Sequence, residues 1–214
     1  MADWVAISSL ATAGGTLALA ATTYASVRSA NRAARTAELS LLAAMRPLLV
    51  ESFDDDRALR VNFKDVAGIN VPGGGAAVEI IEDNIYIVTS LRNVGTGIAV
   101  LHGGYVYPER RVSSVDHVPL QEFRRMTRDL YIPPGDVGYW QIAFRADEDN
   151  EEMRAGLLSA IEGGYLSVDV LYGDYEGGQR VISRYGLGRE ERGWQLATIR
   201  HWQIDREDVR PRED

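Results

Sequence analysis

The sequence predicts a mainly β protein: an antiparallel sandwich preceded by one long N-terminal transmembrane helix. Three observations carry this reading. No charged residue occurs from Trp4 to Val27. Beyond Pro47 the apolar residues alternate with a period of two rather than a helical period. The alternating runs, roughly seven to nine of them, are separated by Gly- and Pro-containing turns, with one helical stretch among them. The organisation that follows is an anchor at 1–46, a sandwich domain with one internal helix at 47–204, and a charged tail at 205–214.

The first element is the uncharged run. As a helix rising ~1.5 Å per residue it spans roughly 35 Å, enough for a hydrocarbon core of ~30 Å. Trp4 and Tyr24 stand near its ends, where amphipathic rings favour the lipid–water interface. Two other readings compete. A secretory signal peptide wants Lys or Arg ahead of the apolar run, where the only charge is Asp3, although Ala18-Leu19-Ala20 fits a small-residue cleavage pattern. A soluble alanine-rich helix is the plainer alternative.

The run is weakly apolar. Its large apolar residues are Val5, Ile7, Leu10, Leu17, Leu19 and Val27, with Ser, Thr and Gly filling much of the rest. Small residues recur at a spacing of four: Ala11 with Gly15, Gly14 with Ala18, Ala18 with Thr22. Such a face lets another helix backbone approach closely. Alanine-rich sequence also produces these pairs by chance. Ala11, Gly14, Gly15, Ala18 and Thr22 are therefore the candidate helix-packing residues. The partner they imply is a multi-pass integral membrane protein or transporter complex.

The helix should continue through Ser26–Met45, which has good helix formers and neither Gly nor Pro. Arg28, Arg32 and Arg35 fall at i, i+4 and i+7 on one face. They suit contact with anionic lipid headgroups, at about 1 kcal/mol each near the surface; a solvated face is the alternative. These arginines follow the span and only Asp3 precedes it. The positive-inside rule then sets the N-terminus outside the inner (plasma) membrane and the C-terminal domain in the cytoplasm. Arg46-Pro47 ends the helix, because proline disfavours helical geometry in the residue before it.

In the domain, Leu48–Val50 and Leu59–Phe63 read as short strands around the acidic turn Asp54-Asp55-Asp56. Pro72-Gly73-Gly74-Gly75 reads as a loop. Ile85–Asn93 is a strand with Ile85, Ile87, Thr89 and Leu91 on one face. The turn Asn93–Gly97 leads to Ile98–Leu101, and Tyr105–Tyr107 extends that run to Pro108. After Pro133-Pro134-Gly135-Asp136 comes the strand Tyr139–Phe144. Glu151–Ile161 is the helix, ended by Gly163-Gly164. Leu166–Tyr172 and Gln179–Tyr185 flank a Gly/Asp turn as a hairpin, and Trp194–Ile204 is the last strand. The tail reads as a mobile end of mixed charge.

Composition narrows the chemistry. The chain has 214 residues, a formal net charge of −8 and no cysteine. The missing thiols exclude disulfides, thiolate zinc sites, iron–sulfur clusters and thiol nucleophiles, and suit a reducing compartment. Lys64 is the only lysine among the basic residues, as in a high-GC genome. An acidic globular portion argues against nucleic acid as a ligand. His102, His117 and His201 show no metal-site spacing, and Asp116-His117, read as adjacent strand residues, would face opposite ways. There is no phosphate loop, dinucleotide fingerprint or nucleophile elbow. No cofactor or metal is expected.

Asp147–Glu152 reads as charge complementing the N-terminus of the following helix, with Asp149 or Asn150 as its cap; a cation or basic-partner site is the alternative. Arg124, Arg125 and Arg128 form the one basic cluster of the globular part, read either as a partner or headgroup contact or as a solvated loop. Trp140, Trp194 and Trp202 read as core or edge aromatics.

The stretch Leu91-Arg92-Asn93-Val94-Gly95-Thr96-Gly97-Ile98-Ala99 resembles a segment of bacterial immunoglobulin-like sandwich domains, where a strand ends in Arg-Asn and a Gly-x-Gly turn precedes the next. That resemblance implies a fold and no activity. In organisation the chain resembles single-span accessory proteins of actinobacterial membrane complexes, with mammalian-cell-entry-type lipid importers as a candidate host. This second likeness rests on no motif. The expectation is a non-enzymatic, membrane-anchored adaptor that docks on a larger integral membrane complex. The alternatives are a tethered sensor whose sandwich binds a small ligand or cation, and a hydrolase using carboxylates such as Asp169 and Asp174.

Overall fold

A computed structural model describes residues 4–113, 116–147 and 149–205. The chain divides into two compact units, Met1–Ala44 and Met45–Asp214. The first contains one helix, α1 (Trp4–Ala44, 41 residues). It forms because the segment holds no proline, and it stops just short of the Arg46-Pro47 break. No helix among the described residues is long and apolar enough to cross a membrane. The cause lies in the Ser, Thr and Gly residues scattered between Trp4 and Val27. Several of those hydroxyls are satisfied by the helix itself: Thr12 Oγ1 donates to the Ser8 carbonyl at 2.9 Å, Thr16 to Thr12 at 2.8 Å and Thr22 to Leu19 at 2.9 Å.

The second unit is mainly antiparallel β. Its strands are β1 (Leu49–Glu51), β2 (Leu59–Val61), β3 (Ile69–Val71), β4 (Gly75–Ile81), β5 (Asn84–Asn93), β6 (Ala99–Tyr107), β7 (Arg124–Ile132), β8 (Val137–Phe144), β9 (Tyr165–Gly173), β10 (Arg180–Glu190) and β11 (Gly193–Gln203). Helix α2 (Glu151–Glu162) lies between β8 and β9. Nine of the strands join in one sheet, and β2–β3 forms a separate hairpin. Strand β5 pairs with β8 along one side, from Ile85↔Phe144 to Arg92↔Val137. On its other side it pairs first with β4 and then, at Leu91–Asn93, with β1. The order continues β11–β10–β9–β6–β7, and only Trp194↔Ala76 and Gln195↔Gly75 join β11 to β4.

Alternation puts one side chain in two into a shared core. Ile85, Ile87 and Leu91 of β5, Trp140 and Ile142 of β8, and Val168, Val170 and Tyr185 from β9 and β10 meet there, with Leu157 and Ile161 of α2 closing one side. The Trp140 ring lies on Gly104, where a Cβ would stand 2.3 Å from it. The opposite face of β5 is also buried. Tyr86 and Val88, with Ala143 of β8, pack under Val61, Ile69 and Val71 of the β2–β3 hairpin.

Asn93 explains the Arg-Asn…Gly-x-Gly pattern. It is fully buried, and its side chain makes all four bonds open to it. Nδ2 donates to the carbonyls of Gly97 (2.7 Å) and Ile132 (2.9 Å), and Oδ1 accepts from the amides of Leu48 (3.2 Å) and Gly95 (3.0 Å). The residues that follow α1 in the chain are thereby tied to the β5–β6 turn. Gly97 is required there, since a Cβ would stand 1.7 Å from the Met45 carbonyl oxygen. Arg92, beside it, pairs with Asp56, donates to the Gly135 carbonyl at 2.7 Å and stacks on Phe53.

The predicted hairpin, last strand and internal helix are all present. Asn150 caps α2 by accepting from the amides of Glu152 and Met153 at 2.8 and 3.2 Å. Three strands escape the sequence reading: β3, β4 and β7. Arg124, Arg125 and Arg128 lie on β7, so the solvated-loop alternative is corrected. Asp116-His117 is not part of a strand, which removes the opposite-face argument made for it. Asp3, Glu148 and the tail beyond Asp205 lie outside the described residues.

Candidate functional site

Strands β7 and β8 are joined by the short turn 133–136 yet are not paired: β7 bonds only to β6 and β8 only to β5. They touch at both ends. The Ile132 side chain lies against Gly138, where a Cβ would be 2.6 Å from its Cγ1. At the other end Arg124 donates to the Ala143 carbonyl at 2.8 Å and to Asp149 Oδ1 at 2.9 Å. Between these contacts the strands part. Residues 126–129 of β7 stand opposite the single residue His102 of β6, so β7 leaves its own ladder there as well.

The parting leaves a cleft of about 500 Å³. Trp140 and Ile142 are its buried lining, with Met126 and Phe63 half-buried beside them. Lys64, Arg125 and Arg128 are exposed around it, and none has a carboxylate partner among the described residues. Arg128 donates only to the Tyr139 hydroxyl, at 3.1 Å. The wall carrying Lys64 is held by Asp65, which accepts from Arg145 Nε at 2.8 Å and from the Tyr86 hydroxyl at 2.9 Å. The Arg145 guanidinium, with the Tyr86 bond, holds the Asp65 carboxyl well below the usual carboxylate range. Two side-chain atoms of these lining residues are buried without a hydrogen-bond partner among the described residues: Gln141 Oε1, and Trp140 Nε1, which lies over Gly104.

The sequence singled out Arg124, Arg125 and Arg128, and the structure brings all three to this cleft. Arg124 is engaged in fastening β7 to β8; the other two rim the opening. Lys64 and Trp140 were not linked to the cluster, because they join it only through the tertiary fold. Ala11, Gly14, Gly15, Ala18 and Thr22 all lie on α1, where a Cβ added at Gly14 or Gly15 would meet nothing within 4 Å. Arg28, Arg32 and Arg35 lie further along the same helix and are exposed.

Asp169 and Ser183–His201 are held in structural contacts, whereas Asp174 Oδ2 is buried without a hydrogen-bond partner among the described residues. Asp169 and Arg184 are cross-strand partners on β9 and β10, and both side chains are wholly buried. Arg184 Nε and Nη2 each donate to Asp169 at 2.7 Å, and Nη2 also donates to the Asp116 carbonyl at 3.0 Å. The Tyr107 hydroxyl donates to Asp169 Oδ2 at 2.8 Å. Burial and the adjacent Asp169 charge push the Tyr107 phenol up to about 12. Asp174 accepts from the Gly178 amide at 2.8 Å inside the β9–β10 turn. Ser183 and His201 form a 2.6 Å Oγ–Nδ1 contact that resembles a nucleophile and base. Ser183 is wholly buried and bonds Tyr172, so no substrate reaches it. No group of three metal-ligating side chains occurs among the described residues.

Compared with known proteins, the chain matches no family model, no curated protein and no solved structure.

Proposed function

We propose that this protein is a non-enzymatic, membrane-anchored adaptor: α1 is the anchor, and an immunoglobulin-like sandwich, Met45 onward, is the docking module. In this reading β5 and β8 belong to one layer and β6, β9 and β10 to the other. The observation that carries the anchor is the composition of α1. It has no charge from Trp4 to Val27, Ile7, Leu10, Leu17, Leu19 and Val27 are exposed on it, and Arg28, Arg32 and Arg35 follow immediately. Back-bonded threonines lower the cost of taking hydroxyls into lipid. Because the run is too weakly apolar to count as a span by itself, the small-residue face Ala11–Gly15–Ala18–Thr22 matters. Packing against a multi-pass partner, such as a transporter complex, supplies what lipid exclusion does not. The arginine face then meets anionic headgroups on the cytoplasmic side of the inner membrane.

The test is affinity purification of the full chain from native membranes in mild detergent, after alkaline extraction. The expected result is retention in the membrane with a stoichiometric multi-pass partner, and loss of that partner in Gly14→Leu/Ala18→Leu. Recovery in the soluble fraction, or as a lone monomer from membranes, overturns the reading. A second reading, a tethered sensor, is favoured by the cleft between β7 and β8. Its basic rim points to an anion, whereas in the segment weighed for a cation Asn150 caps α2 and Asp149 pairs with Arg124.

A further inference from the structure

We propose that the cleft along the free edge of β8 binds a small amphiphilic anion: a phosphate or carboxylate group carried on an apolar or aromatic body. This rests on the sensor reading and names its ligand class. The cleft has the size of pockets that enclose such molecules. Its two zones differ in chemistry. The lining is Trp140, Ile142, Met126 and Phe63, a surface for a flat or apolar body. The rim is Lys64, Arg125 and Arg128, cations without a carboxylate partner among the described residues, in a chain whose net charge is −8. Arginine forks match phosphate and carboxylate oxygens.

Donors are present at the edge itself. The Ala143 carbonyl points away from β5, because it accepts from Arg124 of β7. Strand alternation turns the backbone N–H and C=O of Gln141 to the same free edge. Of the two buried atoms without a partner among the described residues, Trp140 Nε1 can donate to an anion or its water, and Gln141 Oε1 can accept only from a water bound beside it. Both ends of the cleft are closed, by Arg124 on Ala143 and by Ile132 on Gly138. The open edge is thus limited to residues 139–142, too short for a peptide strand that must run past both ends.

The experiment is calorimetric titration of the full chain in phosphatidylcholine nanodiscs with 2-naphthyl phosphate, using empty discs as the blank. Binding at one site per chain is expected, with inorganic phosphate and neutral 2-naphthol each at least tenfold weaker. Lys64→Ala/Arg125→Ala/Arg128→Ala should weaken binding at least tenfold without moving the unfolding temperature, since all three side chains are exposed. Arg57→Ala, away from the cleft, should bind as the parent does. If phosphatidylglycerol in the disc suppresses binding, the natural anion is a lipid headgroup; if it does not, the anion is a free molecule, and either result upholds the site. No saturable binding at millimolar probe, unchanged binding by the triple variant, or saturation by an oligoglutamate peptide alone overturns it. Such a failure leaves membrane retention and partner capture untouched.

Discussion

The buried Asp169–Arg184 pair sets a large stability effect in the β unit. Both side chains are wholly buried, and Asp169 receives three charge-assisted or hydroxyl bonds from Arg184 and Tyr107. Arg184 is further held between the rings of Tyr107 and Trp202, 5.0 and 4.9 Å from its guanidinium carbon. Replacing Asp169 by Leu leaves a guanidinium in an apolar site with no counter-charge. Removing one partner of such a pair costs about 3–5 kcal/mol. For a domain of this size each kcal/mol moves the melting temperature by roughly 2–4 °C, so the midpoint should fall by about 6–20 °C. Arg184→Met should behave similarly, because it strands the carboxylate. The double variant Asp169→Leu/Arg184→Met removes both charges and should recover at least half of the loss. The assay is thermal and urea unfolding of the full chain followed by near-ultraviolet circular dichroism. Single variants within about 1 kcal/mol of the parent, or a double variant as unstable as the sum of the singles, would refute the reasoning.

Two further outcomes follow from the same geometry. Asn93→Ala leaves the buried or part-buried amides of Leu48 and Gly95 without their acceptor, at about 1–3 kcal/mol each. Asn93→Asp should be comparably destabilising, since a carboxylate cannot donate to the Gly97 and Ile132 carbonyls; urea midpoints like the parent's would contradict the hub. The second outcome concerns pH. The Tyr107 phenol ionises at an ordinary 10.0 when unfolded and at about 12 when folded. Its stabilising contribution is complete below pH 10 and is lost as pH rises towards 12, about 3 kcal/mol in all. Tyr86, Tyr105, Tyr172 and Tyr185 are raised too, so the parent should lose stability steeply above pH 10. Tyr107→Phe should flatten that loss by about one proton, as read from urea unfolding between pH 9 and 11.5.

The sequence made legible those elements whose local chemistry was unambiguous. Helix α2 has a cap, a charged first turn and a glycine stop. The β9–β10 hairpin has alternating strands about a Gly/Asp turn. Strand β7 was missed because Arg124, Arg125 and Arg128 mask its alternation: Met126, Leu130 and Ile132 face the core while the arginines reach out from an edge. Strand β4 was missed because Gly75-Ala76-Ala77 fills a close-packed place with small residues rather than large apolar ones. The Asp169–Arg184 pair had a usable signal. Register across the hairpin opposes Gly173 to Arg180 and therefore Asp169 to Arg184, two opposite charges at the centres of otherwise apolar strands. The cleft had none, since Lys64, Arg125 and Trp140 are far apart in the chain and meet through the parting of β7 from β8.

Polar groups of the β unit differ sharply in how fully they are satisfied. Asn93 uses every bond of its side chain; Asp169, Arg184 and Tyr107 answer one another; Ser183 is closed in by Tyr172 and His201. Groups so engaged rigidify a scaffold. The cleft is the reverse case. Its buried lining is apolar, its rim cations have no carboxylate partner among the described residues, and the adjoining strand edge has backbone groups with no ladder to enter. An exposed edge of this kind invites pairing with another chain, and positive charge beside it is a known deterrent. Deterrence alone accounts for Arg125 and Arg128 but not for the apolar lining of Trp140, Ile142, Met126 and Phe63 beside them. A ligand that meets both zones accounts for the rim and the lining together.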